Sequence, residues 1–304
     1  MFSKEISRTA AVFAALFVTI LWSSSFVIIK LGLAEIPPLT FAGLRYVIAF
    51  LCLLPFALKK ERAAEIRSLK KPQWLKLTLL GLMFITFTQG AQFFGLSLLP
   101  AVTVSLLLNF TPVIVAVMGI FLINEYPTKL QWIGALLFIF GILTYFMPLE
   151  SENNQLLGII IMLIGVAANA GSSVLGRSIN RKGDLHPLTI TVISMGIGSI
   201  ILLIAGIITQ GFPAISLKNW LFLLWLAAIN TAFAFTLWNL TLRTLSAMES
   251  SIINGTMLIQ IAFLAWLFLD EPISLKEGMG MLIAGVGALL VQLKRKSKTL
   301  SESK

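Results

Sequence analysis

Polar residues are so sparse along this chain that their positions alone divide it into ten apolar runs. The runs cover roughly 10–33, 39–58, 74–97, 100–123, 130–148, 156–178, 187–208, 219–241, 247–269 and 275–293. Each is about 20 residues long, enough for a helix rising 1.5 Å per residue to cross about 30 Å of hydrocarbon. None shows the strict apolar/polar alternation of a membrane barrel strand. The pattern therefore predicts an all-α integral membrane protein with ten transmembrane helices. The first run follows Lys4 and Arg8 but is too long for a signal-peptide core, and it reads as an uncleaved helix.

The runs repeat. Leu99–Glu125 and Leu245–Glu271 align without a gap at an offset of 146, pairing Ser105 with Ser251 and Glu125 with Glu271. The register continues upstream to Trp74 and Trp220, and downstream to Gly141 and Gly287. The first helices of the two halves align at an offset of 147, pairing Trp22 with Asn169, Ser25 with Ser172 and Lys30 with Arg177. A repeat of this length is a statement about fold. The halves are read as 1–149 and 155–294, followed by a basic tail, 295–304. Five spans per half is an odd number, so the second half enters the membrane from the opposite side. Two inverted five-helix repeats are a transporter architecture, with the substrate site near the midplane between them.

Charge sets the expected orientation. The even-numbered loops and the two tails hold eighteen Lys and Arg, whereas the odd-numbered loops hold only Lys218 and Lys276. This bias places both termini in the cytoplasm. It also accounts for the net charge of +10 without a nucleic-acid partner. The single cysteine, Cys52, cannot form an internal disulfide and says nothing about redox compartment. A Walker A loop and an H-E-x-x-H zinc motif are both absent from the sequence. No cofactor or metal is expected.

Polar residues inside the runs are the candidate chemistry. The first helix carries Thr19, Trp22, Ser23, Phe26 and Lys30 on one face. The sixth carries Gly165, Asn169, Ser173 and Gly176. The third offers Thr86, Gln89, Gln92 and Phe93, and the eighth Thr231, Phe235, Trp238 and Asn239. The fourth and ninth offer Ser105, Asn109, Ser250, Ser251 and Asn254. In hydrocarbon each such group either bonds a neighbouring helix across a packed seam or lines a wet cavity. Single Ser and Thr residues read as seams. Gln89, Gln92, Asn109 and Asn169 read as cavity lining, because a large amide wastes packing volume in a dry interface.

Charges inside the spans are few. Arg45 lies about 9 Å below the outer end of the second helix. A central Arg costs about 2.5–3.5 kcal/mol on insertion scales. It either snorkels to the outer headgroups or attracts substrate at an outer gate. Lys30 is nearer the surface and reads as snorkelling, and Arg177 is its inverted counterpart at the inner end. Glu249, at the start of the ninth helix, reads as interfacial more readily than as a proton-coupling site. Thr128–Gln131 and Ser274–Glu277 have the spacing of capping boxes opening the fifth and tenth helices. Pro127 and Pro272 stop the preceding helices. Glu125 and Glu271 are then left at helix C-termini, where a carboxylate opposes the dipole and something must offset it.

Five elements together resemble the EamA-type drug/metabolite transporters: Leu21-Trp22-Ser23-Ser24-Ser25-Phe26 with Lys30, Arg45, Thr111-Pro112-Val113, Glu125, and Glu271-Pro272. Ser23 stands where that family commonly has Gly, and the second half has no Pro matching Pro112 and has Ser194 where the first has Arg45. The resemblance implies export of amino acids and other small metabolites across a bacterial inner membrane. It also implies a central cavity lined by helices 1–4 and 6–9, with 5 and 10 as support. The expected partners are a small-molecule substrate and the bilayer, with the chain a monomer or a homodimer. On this reading Trp22, Ser25, Phe26, Gln89, Gln92, Phe93, Asn109, Asn169, Ser173, Trp238, Asn239 and Asn254 bind substrate, while Lys30, Arg45 and Arg177 bear charge near the gates. Uptake is the alternative direction. An intramembrane serine protease built on Ser173 is a remote alternative, since the lone His186 sits at the inner mouth of the seventh helix. A cysteine introduced into the Glu150–Asn154 loop is expected to react with a membrane-impermeant maleimide from outside intact cells. Labelling from the cytoplasm alone would reverse the orientation.

Overall fold

A computed structural model describes residues 7–123, 128–147, 153–181, 184–241, 244–245, 250 and 253–292. In chain order the spans are α1 (Arg8–Gly32), α2 (Pro38–Ala57), α3 (Lys71–Leu98), α4 (Ala101–Leu108, then Thr111–Ile123) and α5 (Lys129–Phe146). The second half supplies α6 (Asn153–Arg181), α7 (Pro187–Gln210), α8 (Leu217–Ala227 continuing to Ala234–Thr241), α9 (Met257–Leu269) and α10 (Leu275–Gln292). A short helix, Lys60–Arg67, follows α2 outside the spans. Among the described residues seven of these helices are long and apolar enough to cross a membrane. Phe13, Phe17, Ile204, Ile208 and Phe268 are among many large apolar side chains left exposed on the outside. A surface so apolar suits lipid rather than water.

The halves interlock. The first helix of each packs against the third and fourth helices of the other: α1 lies on α8 and α9, and α6 lies on α3 and α4. The second helices pair as α2 with α7, and the fifth as α5 with α10. Both capping boxes form. Thr128 N donates to Gln131 Oε1 (2.9 Å) and Gln131 N to Thr128 Oγ1 (3.3 Å). Ser274 N donates to Glu277 Oε2 (2.7 Å) and Glu277 N to Ser274 Oγ (3.2 Å).

Loop contacts link loops of the same parity, as an inverted repeat requires. At the odd-loop end Glu35, between α1 and α2, accepts from Ser216 N, Ser216 Oγ and Asn219 Nδ2 at the start of α8. At the even-loop end Glu65 accepts from His186 N (2.7 Å) and Thr189 Oγ1 (2.5 Å) at the start of α7. Each carboxylate sits at a helix N-terminus, where the dipole favours it. The Ser216 amide is the main reason that the Glu35 carboxyl titrates below its usual range. Partial burial alone would raise Glu65, but its bonds from Thr189 and His186 and the nearby Arg62 outweigh that and lower it. Both links are therefore complete at neutral pH and are lost as pH falls through the lowered native values.

Glycines set the α5–α10 seam. A methyl group on Gly134 would lie 2.7 Å from Leu290 Cβ and 2.7 Å from Val291 N, and one on Gly280 would lie 2.7 Å from Tyr145 N. Gly141 and Gly287 are equally close to the facing backbone. The small residues thus face each other inside one chain, and the backbones touch. Gly280→Leu is expected to lower the yield of folded, monodisperse protein several-fold, because overpacking costs about 1–3 kcal/mol. Gly278→Leu, where an added Cβ meets nothing within 4 Å, is expected to leave it unchanged. Fluorescence-detected size exclusion reads both, and equal yields would mean the seam is not tight.

Candidate functional site

Four helices lose regular α-geometry at repeat-equivalent positions. In α3 a π-helical stretch runs over Leu82–Gln89, and in α8 one runs over Ala228–Phe233, its counterpart at an offset of 146. A wide turn leaves carbonyls one residue out of step, and threonines take them up. Thr88 Oγ1 donates to Met83 O and Thr231 Oγ1 to Leu226 O, each at 2.8 Å and each five residues back. The fourth helix breaks at Asn109–Phe110 and the chain entering α9 breaks at Thr256. Pro112 accounts for the first break, since it has no N–H for Leu108 O; Thr111 Oγ1 fills that place at 2.8 Å. The second break forms without a proline. Gly255 precedes it, and Thr256 Oγ1 donates to Ile253 O at 2.6 Å. Irregular backbone at membrane depth is tolerated only inside protein or along a cavity, and π-turns concentrate at functional sites.

Several expected residues meet around these irregularities. Trp22 of α1 contacts Phe235 and Trp238 of α8, with ring centroids 5.4 and 5.2 Å away. Asn169 Nδ2 donates to Thr111 Oγ1 at the restart of α4 (3.1 Å). Arg45 is buried, 4% exposed. Its Nε donates to Thr231 Oγ1 (3.1 Å), and its Cζ lies 5.3 Å from the Tyr46 ring and 5.9 Å from the Phe93 ring. Gln89 is buried and Gln92 half-buried; neither side chain has a hydrogen-bond partner among the described residues.

Other expected residues are placed differently. Thr19 and Ser23 form an interhelical seam, as read for single hydroxyls, and hold Gln260 of α9, which donates to Thr19 Oγ1 (3.1 Å) and Thr256 Oγ1 (3.0 Å) and accepts from Ser23 Oγ (2.9 Å). Ser25 is buried and accepts from Asn230 Nδ2 (2.8 Å), and Phe26 is in the core. Asn109 turns back on its own helix, donating to Ser105 O (2.9 Å). Asn254 is exposed, away from these contacts. Ser173 is exposed and donates to Asn169 O within α6 (2.9 Å), while His186 Nδ1 accepts from Leu188 N (3.1 Å). Neither group is posed for proton transfer to the other. Glu125, Glu249 and Ser251, and the side chains of Arg177 and Asn239, lie outside the described residues.

Asn230 and Gln260 fall off the helical stripes read from the sequence. Asn230 precedes Thr231 inside the π-turn, where a 3.6-residue period no longer says which way a side chain points. The only cue to Gln260 is that it is polar within the apolar run Met257–Leu269.

The odd-loop end of this assembly is tied by charge. Lys30 does not run free to the headgroups. Its Nζ forms an ion pair with Glu271 and donates to Leu99 O (2.9 Å). The second Glu271 oxygen accepts from Ala101 N (2.8 Å), at the N-terminus of α4. Asp270, in the left-handed region at φ 51°, turns the chain out of α9 and brings Glu271 across. The carboxylate that opposes the α9 dipole is thereby offset by a cation and by the favourable dipole end of α4.

The family follows from comparison with known proteins. Residues 9–147 and 156–293 each match the model of the EamA-like transporter family. The chain belongs to that family. It is similar to "Uncharacterized transporter YvbV" of Bacillus subtilis, at 28% identity over 97% of this chain and 95% of that one. It is also similar to "Probable amino-acid metabolite efflux pump" of Salmonella typhimurium, at 30% identity over 74% and 76%. A third relative, "S-adenosylmethionine/S-adenosylhomocysteine transporter" of Chlamydia trachomatis, is 26% identical over 90% and 87%. A crystal structure with 16% identity covers 94% of this chain and 98% of its own at a TM-score of 0.65, which shows the same fold.

Lys30→Met is expected to lower thermal stability by about 1–3 kcal/mol, because it leaves the half-buried Glu271 without its cation. Adding Glu271→Gln to that variant is expected to recover part of the loss, since an amide oxygen still accepts from Ala101 N. Unfolding in detergent measures both, and strictly additive losses would show that the two side chains do not act as a pair.

Proposed function

We propose that this chain is a secondary transporter exporting small metabolites that carry an amino-acid group, by alternating access across a bacterial inner membrane with both termini in the cytoplasm. The observation that carries the reading is the repeat-equivalent loss of α-geometry in α3, α4, α8 and the entry to α9. Discontinuous helices at the interface of inverted repeats are where transporters hold substrate and where they bend. The relatives support the substrate class. One is named for amino-acid metabolites, and S-adenosylmethionine and S-adenosylhomocysteine both end in an α-amino-acid group. The efflux pump's name also supports the outward direction.

The substrate site in this reading lies between the Trp22–Phe235–Trp238 cluster, Gln89 and Gln92 of α3, and Asn169 against the restart of α4. The rings offer an apolar surface, and the free amides offer both donors and acceptors. Coupling to ATP is not part of the reading, because the sequence has no phosphate-binding loop.

Purified protein reconstituted in proteoliposomes is expected to move one or more amino acids from a panel of twenty. Gln92→Ala and Trp238→Ala are each expected to cut that flux at least tenfold at unchanged folded yield. Normal flux in both variants would reassign these residues to packing. Absence of flux for the whole panel would reject the amino-acid reading.

A further inference from the structure

Among the described residues Arg45 is a cation without a counter-ion. Lys30 is neutralised by Glu271, and Arg62 lies 3.8 Å from Glu65. No carboxylate among the described residues pairs with Arg45, although it is 4% exposed and seven residues into α2. Its surroundings are specific. The Tyr46 and Phe93 rings stand beside the guanidinium, and Thr231 of the α8 π-turn takes its Nε–H. The two Nη atoms have no acceptor among the described residues. Among the described residues the polar side-chain atoms that are both sealed from water and unpaired are Asn219 Oδ1, Asn230 Oδ1 and Ser250 Oγ. The Arg45 Nη atoms are not among them, so the free edge of the fork is not fully sealed.

We propose that this free edge is the anchor for the carboxylate of the transported molecule, which supplies the missing counter-ion each time it binds. The inference rests on the transport reading and assigns the residue that recognises the carboxylate of its substrates. A planar fork with both Nη groups free matches the two oxygens of a carboxylate end-on. One isolated guanidinium balances one negative charge, whereas a phosphate dianion would call for a second cation. Gln89 and Gln92 lie on the same face of α3 as Phe93, at three- and four-residue spacing from Gln89. Their unpartnered carbonyl oxygens are the acceptors that an ammonium group needs. Thr231 ties the anchor to the π-turn of α8, so filling the fork acts on an irregular segment of the opposite half. A cation kept inside a membrane without a partner is a functional group by default.

The test uses the full-length protein with three matched sets of probes. L-phenylalanine, L-leucine and L-methionine are each compared with their amide and their decarboxylated amine, by thermal stabilisation in detergent and by flux in proteoliposomes. The wild type is expected to respond to at least one acid and to respond at least tenfold more weakly to its amide and amine. Arg45→Gln keeps a donor for Thr231 Oγ1 and removes an unneutralised charge, so it is expected to fold at normal yield and to lose the response to the acid at least tenfold. Arg45→Lys, a point charge without the fork, is expected to fall between. The proposal is overturned if Arg45→Gln binds and moves the acids as the wild type does, or if the wild type treats acid, amide and amine alike. The export reading would survive the second outcome. If the wild type moves none of the probes, the stabilisation arm decides by itself. Saturable, Arg45-dependent stabilisation by the acids keeps the anchor, and its absence removes it.

Discussion

The constraint on which this structure depends is that hydrocarbon offers no water to a backbone carbonyl. At each of the four departures from α-geometry in the spans a threonine hydroxyl three or five residues away takes a freed carbonyl. Thr88 serves Met83, Thr111 serves Leu108, Thr231 serves Leu226 and Thr256 serves Ile253. An unsatisfied buried carbonyl costs several kilocalories per mole in lipid, so these hydroxyls are what permit four irregular helices in the interior. The first half breaks its fourth helix with Pro112, whereas the second half breaks at the same place with Gly255 and Thr256. Two different chemistries thus arrive at one geometry, which points to the break rather than the residue as the retained feature.

The ten spans, their inverted arrangement and both capping boxes were legible because each depends on sequence pattern. Hydrophobic run length and residues three apart act within one helix or one turn, and the repeat register relates the halves. The tie between Lys30 and Glu271 was legible only as a question. The sequence shows a carboxylate in an unfavourable place at the end of α9, but nothing in it says that a lysine 241 residues earlier lies opposite.

The candidate site was legible in part, and the reason is the π-turns. Helical stripes assume 3.6 residues per turn. Trp22 and Trp238, read on the stripes of two separate helices, are in contact, and both lie in regular segments. Inside the α8 π-turn the assumption fails, and Asn230 reaches α1 from a position that no stripe includes. The α1 stripe divides for a different reason. Its Thr19 and Ser23 are matched by Gln260, a polar residue on a helix that otherwise reads as plain apolar, so these two hydroxyls form the polar seam read for single Ser and Thr residues.

The exchange of first helices between halves bears on how the chain is made. The residues that α1 needs for its polar groups, Asn230, Gln260 and Glu271, are translated last. At about 5–20 residues per second, the 241 residues between Lys30 and Glu271 correspond to about 12–48 s of synthesis. Until those residues are made, Ser23 lacks its acceptor Gln260, and Lys30 has Leu99 O but not Glu271. The polar contacts of the first helix with the opposite half can therefore close only once that half has been made.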